Sequence, residues 1–165
     1  MLERYVVVDL ETTGHSVEQG DRIIQIGAIV IEGGEIIERF ASYVNPQAPI
    51  PPFIRELTGI SDAVVSDAPP FAELVPLLLP MLEQSYFVAH NAEFDLLFLQ
   101  RQLENEGYQL HSLPVLDTVE LSRILYPEQE SYKLGDLAEQ LDIAHERPHQ
   151  ADSDAEVTGL LFCCS

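Results

Sequence analysis

The 165 residues carry 28 acidic and 8 basic side chains, a formal charge of -20, and they are 46% hydrophobic and 22% charged. That balance fits one core-forming domain and excludes a disordered acidic tail. With no apolar run near roughly 18 residues and no basic stretch feeding an apolar one after Met1, neither a membrane span nor a signal peptide is expected. Cys163 and Cys164, adjacent at the end, cannot staple a domain, and the expected setting is a reducing cytoplasm.

Tyr5 to Asp9 and Arg22 to Ile31 are β-branched apolar runs that read as strands. Gly33-Gly34 then turns the chain into a third strand, Glu35 to Val44, giving three sequential antiparallel strands. Prolines at 46, 49, 51 and 52 keep Asn45 to Pro52 out of both ladder and helix, and a short helical piece, Phe53 to Leu57, stops at Gly59. Phe71 to Leu82 is apolar on nearly all sides and reads as a buried helix that Pro76 and Pro80 should kink or shorten. Tyr86 to Ala89 is a strand, and Asn91 can cap a helix running to about Glu106, ended by Gly107. Val115 to Asp117 is a fifth strand, with helices at Val119 to Leu125, Leu134 to Leu141 and about Asp152 to Phe162. A meander followed by strand–helix alternation predicts an α/β domain, a mixed five-stranded sheet with three antiparallel strands, then two parallel ones, flanked by helices.

The chemistry-bearing residues are carboxylates. Side chains alternate along a strand, so Asp9 and Glu11 point to one face and Leu10 to the other. Two carboxylates roughly 6 to 7 Å apart repel unless a cation or proton lies between them. A lone D-x-E is more often the solvated end of a strand. Asp95 falls in the first turn of its helix, where a carboxylate commonly does no more than satisfy free N–H groups, but its neighbours Phe98 and Leu99 put it on the apolar face. Near the end, Ser153 and Glu156 have the spacing of a capping box, so a helix begins there with Asp154 in its first turn and His149 in the loop before it. Separately, His149 and Asp154 have bland readings, a loop histidine and a cap. Together, carboxylates from several elements meeting where strands end and helices begin can hold two hard divalent ions, Mg2+ or Mn2+ rather than Zn2+. Such ions, with a neutral imidazole to take a proton from water, make a hydrolytic nuclease site. They also answer the objection that seven Arg and one Lys cannot hold a polyanion.

Asp9-Leu10-Glu11-Thr12-Thr13-Gly14, His90-Asn91-Ala92-Glu93-Phe94-Asp95 and His149-Gln150-Ala151-Asp152-Ser153-Asp154-Ala155 resemble, in order and over nearly the whole chain, the motifs of the DEDDh (DnaQ-like) 3′-to-5′ exonucleases. Within that family, Gly20 to Gln25 and Pro49 to Ile54 look most like the N-terminal exonuclease domain of DinG-type helicase proteins, and next like the polymerase III proofreading exonuclease. The resemblance implies a ribonuclease H-like fold, one metal on Asp9, Glu11 and Asp154, and a second on Asp9 and the scissile phosphate, with Asp95 acting on it through water. It also implies His149 as general base and a substrate surface of Leu10, Thr12, Thr13, Gly59, Ile60, Asn91 and Phe94. Gly59 and Ile60 read equally well as a helix stop with a buried isoleucine. The expected activity is release of nucleoside 5′-monophosphates from single-stranded DNA 3′ ends. The rivals are trimming of RNA and a non-catalytic interaction domain on the same fold.

The remaining candidates carry less. Pro148 breaks any helix that would pair His145 with His149 as a zinc site; His15 reads as solvated and His90 as a strand-end hydrogen-bonding residue. The helix running into Cys163 lacks a C-cap, so residues 1–165 are expected to be one exonuclease domain, the N-terminal part of a longer chain joined to, or bound by, a helicase or polymerase.

Overall fold

The structure, a computed structural model, describes residues 3–110, 113–125, 127, 131 and 133. The expected helices at 134–141 and 152–162 lie outside these residues. The elements run β1 (Arg4–Thr12), a 3-10 turn (Val17–Gln19), β2 (Ile23–Glu32), β3 (Glu35–Tyr43), α1 (Pro52–Thr58), α2 (Asp62–Ser66), α3 (Phe71–Leu82), β4 (Tyr86–Ala89), α4 (Ala92–Asn105), β5 (Val115–Asp117) and α5 (Thr118–Leu125).

The sheet order is β3-β2-β1-β4-β5. β1 and β3 each pair antiparallel with β2, whereas β4 joins β1, and β5 joins β4, in parallel. The mixed sheet expected from the sequence is therefore present, and the β2–β3 hairpin turns on Gly33 and Gly34, both at positive φ, as a tight two-residue turn requires. The main core lies between one face of the sheet and helices α3 and α4: Val6, Val8, Leu10, Ile26 and Val30 meet Leu74, Val75, Leu78, Phe98 and Leu99. A smaller cluster, Val7, Ile29, Ile31 and Val88, sits on the other face. α1 and α2 close a third cluster of Ile24, Ile50, Ile54, Ile60 and Val65.

Two local expectations are corrected. α3 runs unbroken through Pro76 and Pro80, because both are exposed and four residues apart, so the carbonyls deprived of N–H partners, Ala72 O and Pro76 O, lie on the outer side. That helix is amphipathic rather than buried all round: Phe71, Leu74, Val75, Leu78, Met81 and Leu82 face the core while Leu77 is exposed. The five-residue α2, capped by Ser61 through Val64 N, has too few turns to leave an apolar period in the sequence.

Candidate metal-dependent nuclease site

β1 sets the first two carboxylates. Val6, Val8 and Leu10 belong to the core under α3 and α4, and Val7 to the cluster on the opposite face, so strand alternation turns half-buried Asp9 and Glu11 to the Val7 side of the strand. The ladder slips just beyond them. Glu11 pairs with Gln25 but Thr12 with Ile23, a bulge that ends regular pairing at the position where the acidic side chains emerge.

The loop that follows is organised around Asp21. Its carboxylate accepts from Thr13 Oγ1 at 3.2 Å and from Ser16 N at 3.0 Å, while Thr13 Oγ1 accepts from Arg22 N at 2.9 Å. A Cβ at position 14 would lie 2.3 Å from Asp21 Oδ2, so this hydrogen-bonded carboxylate would have to shift to admit any residue but glycine. Thr12 and Thr13 are both buried; Thr12 Oγ1 donates to Gly14 O at 2.7 Å and Thr13 N to Arg22 O at 2.9 Å. The Thr13 amide is thus already committed within the protein.

Asp95 occupies the first turn of α4 and is 4% exposed, with Oδ2 buried and lacking a hydrogen-bond partner among the described residues. Burial, then the charges of Glu11 and Asp117, push its carboxyl well above the usual carboxylate range. Glu11 is close enough to disfavour the ionised form of Asp95. An orphaned buried carboxylate oxygen facing a second carboxylate is a donor set that fits a hard divalent cation. Among the described residues no three His, Cys, Asp or Glu side chains close on one point as a metal site. Asp154, the further ligand that the sequence implies, lies outside those residues, as does His149.

The start of α4 differs from the expectation of an Asn91 cap. Asn91 stands at φ 68°, in the left-handed region that asparagine tolerates, and its side chain makes no cap bond. The capping carboxylate comes from the end of β5: Asp117 accepts from Asn91 N at 3.1 Å, Ala92 N at 3.0 Å and Val119 N at 2.9 Å. Sequence reading saw Asp117 only as a strand end. The signal that could have found it is topological, because β5 beside β4 brings its last residue to the amides that follow β4. His90, as expected, is a strand-end hydrogen-bonding residue, its Nδ1 2.9 Å from Thr118 Oγ1.

The remaining expected substrate residues divide. Phe94 is half-buried and packs on Phe98, ring centroids 4.8 Å apart, with the exposed His15 ring edge-on at 6.4 Å. Leu10 is in the core. Gly59, at φ 76°, ends α1, while Ile60 is 1% exposed and held by its amide to Thr58 Oγ1 at 3.1 Å. The helix-stop reading accounts for the Ile60 side chain; beside it, in the last turn of α1, Leu57 is the exposed apolar group.

Comparison with known proteins places the chain. Residues 6–162 match the family model for exonucleases. The 3′-5′ exonuclease DinG of Bacillus subtilis (strain 168) is 54% identical over 160 residues, covering 97% of this chain and 17% of DinG. The PolC-type DNA polymerase III of Bacillus cereus is 41% identical, covering 97% of this chain and 11% of the polymerase. The chain thus spans less than a fifth of the length of these relatives. Among solved structures, the nuclease domain of 3′hExo, a DEDDh family member bound to rAMP, superposes with TM-score 0.82 at 18% identity, covering 98% of this chain and 90% of that one. Exonuclease X in complex with 5′ overhanging duplex DNA gives 0.76 at 24%, covering 97% and 89%. At those identities the fold alone is shared, and it is the one expected. The two likenesses read from the motifs, to DinG and to the polymerase exonuclease, are both present, and the chain belongs to the exonuclease family.

Proposed function

We propose that this chain hydrolyses single-stranded DNA from the 3′ end, releasing nucleoside 5′-monophosphates with two Mg2+ or Mn2+ ions and His149 as general base. The observation that carries the reading is Asp95 Oδ2, buried and without a hydrogen-bond partner among the described residues, in the field of Glu11. Such a group is unfavourable in the free protein and is stabilised by a cation. Asp9, Glu11 and Asp154 would hold one ion, and Asp9 with Asp95 would serve the second. When bound, the ions neutralise charge on the scissile phosphate and lower the pKa of the attacking water. The protein's part is to fix the carboxylates on a rigid strand and a capped helix, and to take a proton at the His149 imidazole. The Thr12–Thr13 segment and Phe94 would seat the terminal nucleotide.

The lengths of DinG and PolC support the further reading that residues 1–165 act as one exonuclease domain of a longer protein, joined to or working beside a helicase or polymerase in the cytoplasm. Among the described residues no helix is long and apolar enough to cross a membrane. The test is incubation of the purified chain with 5′-labelled single-stranded DNA and RNA in Mn2+ or EDTA. Mn2+-dependent shortening of DNA from the 3′ end is expected; preference for RNA would move the substrate assignment, and no hydrolysis of either would favour an interaction domain and overturn the reading.

A further inference from the structure

Gln102 lies two turns beyond Asp95 on the same face of α4 and is 6% exposed. Its neighbours on that face, Phe98, Leu99 and Leu103, are apolar and fully buried, so an amide among them is costly unless it is hydrogen-bonded. It is bonded to a distant part of the chain: Gln102 Oε1 accepts from Ile23 N at 2.8 Å. Ile23 opens β2 and is the partner of Thr12, at the bulge directly after Glu11. The β3 ladder ends at the Gln25–Tyr43 pair, so that strand supplies no partner to the Ile23 amide, and the glutamine stands in for it.

A helix packed by apolar contacts alone can slide or turn by a fraction of an ångström at little cost, because those contacts are not directional. Metal ligands must keep their places within about 0.5 Å. α4 is held at its start by Asp117, which accepts from Asn91 N and Ala92 N. A second directional bond, two turns on from Asp95, fixes the rotation and axial position that a cap at one end leaves open. It ties the helix to the strand pair that carries Asp9 and Glu11. From this arrangement we infer that Gln102 is a positioning residue of the exonuclease site: through the Ile23 amide it sets Asp95, on α4, against the carboxylates of β1. The inference rests on the reading that these carboxylates hold the metal ions, and it gives Gln102 no contact with ion or substrate.

The experiment is a Mn2+ titration of the full chain, read as melting temperature and, separately, as hydrolysis of oligo(dT) well below the melting range. An ion that binds the folded protein raises its melting temperature by mass action. Gln102→Met removes the acceptor at nearly constant volume. It should need about tenfold more Mn2+ for the same rise in melting temperature and for half-maximal hydrolysis, the scale for residues that orient metal ligands. KM for oligo(dT) should hold while kcat falls. Gln102→Ala, in which water from the adjoining cleft of about 330 Å³ can reach the freed amide, is a second variant that should show the same displacement. Gln102→Glu keeps an acceptor for Ile23 N, has the cleft for its second oxygen, and should return most of the Mn2+ response. Leu78→Ala, a truncation of the buried face of α3, should melt lower and yet respond to Mn2+ as the wild type does. Wild-type Mn2+ dependence in Gln102→Met and Gln102→Ala overturns the positioning role and leaves the exonuclease reading intact. So does a Leu78→Ala response displaced as far as theirs, since loss of stability alone would then account for it. A wild type whose melting ignores Mn2+ and that shortens no DNA overturns both.

Discussion

Asp117 closes the start of α4 and at the same time raises the pKa of Asp95, four residues into that turn. The group that fixes the helix geometry therefore adds to the charge that a cation must neutralise. Burial and Glu11 act on Asp95 in the same direction, so in the metal-free protein its proton is held above the usual carboxylate range. A raised folded-state pKa means stability is fully present below the ordinary aspartate pKa and is lost as pH rises through the raised one. Metal-free wild type should accordingly lose melting temperature across that window relative to Asp95→Asn, whose curve should lack the drop. Near neutrality Asp95→Asn should melt higher by about 2–4 °C for each kcal/mol of relief. Parallel wild-type and Asp95→Asn melting curves from acid to neutral pH would show that the carboxyl is not strained.

Asp117→Ala should expose that dependence mechanically. Removing a carboxylate that accepts from Asn91 N, Ala92 N and Val119 N leaves three amides without their partner, a loss of about 1–2 kcal/mol on the scale of helix caps. Because Asp95 rides on that turn, kcat should fall by more than KM rises, and Asp117→Asn should recover part of both. An Asp117→Ala enzyme with unchanged kcat would separate the cap from the site.

Asp9 tests the ligand set. Asp9→Ala should cut hydrolysis at least about 1000-fold, the scale on which lost charge stabilisation operates, and the metal-free fold should be unharmed because one of several repelling carboxylates is gone. Wild-type turnover by Asp9→Ala would remove the two-ion assignment.

The strands were legible because β-branched runs bounded by Gly-Gly or by charge admit few other conformations, and Tyr86–Ala89 and Val115–Asp117 fall on the expected residues. Asp9, Glu11 and Asp95 were legible as carboxylates with reason to meet, since strand alternation and helix period constrain where they point. What could not be read was tertiary. Asp117 caps amides 25 and 26 positions earlier in the chain, and no local pattern encodes that partnership. The committed Thr13 amide depends likewise on Arg22 returning beside it across the β1–β2 loop. Pro76 and Pro80 misled because a rule about helix interiors ignores which side of the helix loses its bonds.

His149 is expected to supply the base. The rate in Mg2+ should rise with pH along a limb that disappears in His149→Ala, leaving low but measurable activity. The same limb at full rate in the variant would make the imidazole a bystander.

The loop behind the site gives the sharpest steric test. A methyl at position 14 would sit 2.3 Å from Asp21 Oδ2, and that carboxylate cannot easily withdraw because it holds Thr13 Oγ1 and Ser16 N. Gly14→Ala should therefore destabilise by about 1–3 kcal/mol, the usual range for an overpacked position. Thr13 follows directly after the strand that carries Asp9 and Glu11, so activity should fall with stability. Asp21→Ala alone should also destabilise, by losing both hydrogen bonds. In Gly14→Ala/Asp21→Ala the clash has no second partner, and the combined loss should be smaller than the sum of the two, as coupled neighbours require. Chemical denaturation of the three variants measures this. Strict additivity would mean that the loop relaxes around the methyl and that Gly14 is kept for some reason other than the Asp21 carboxylate.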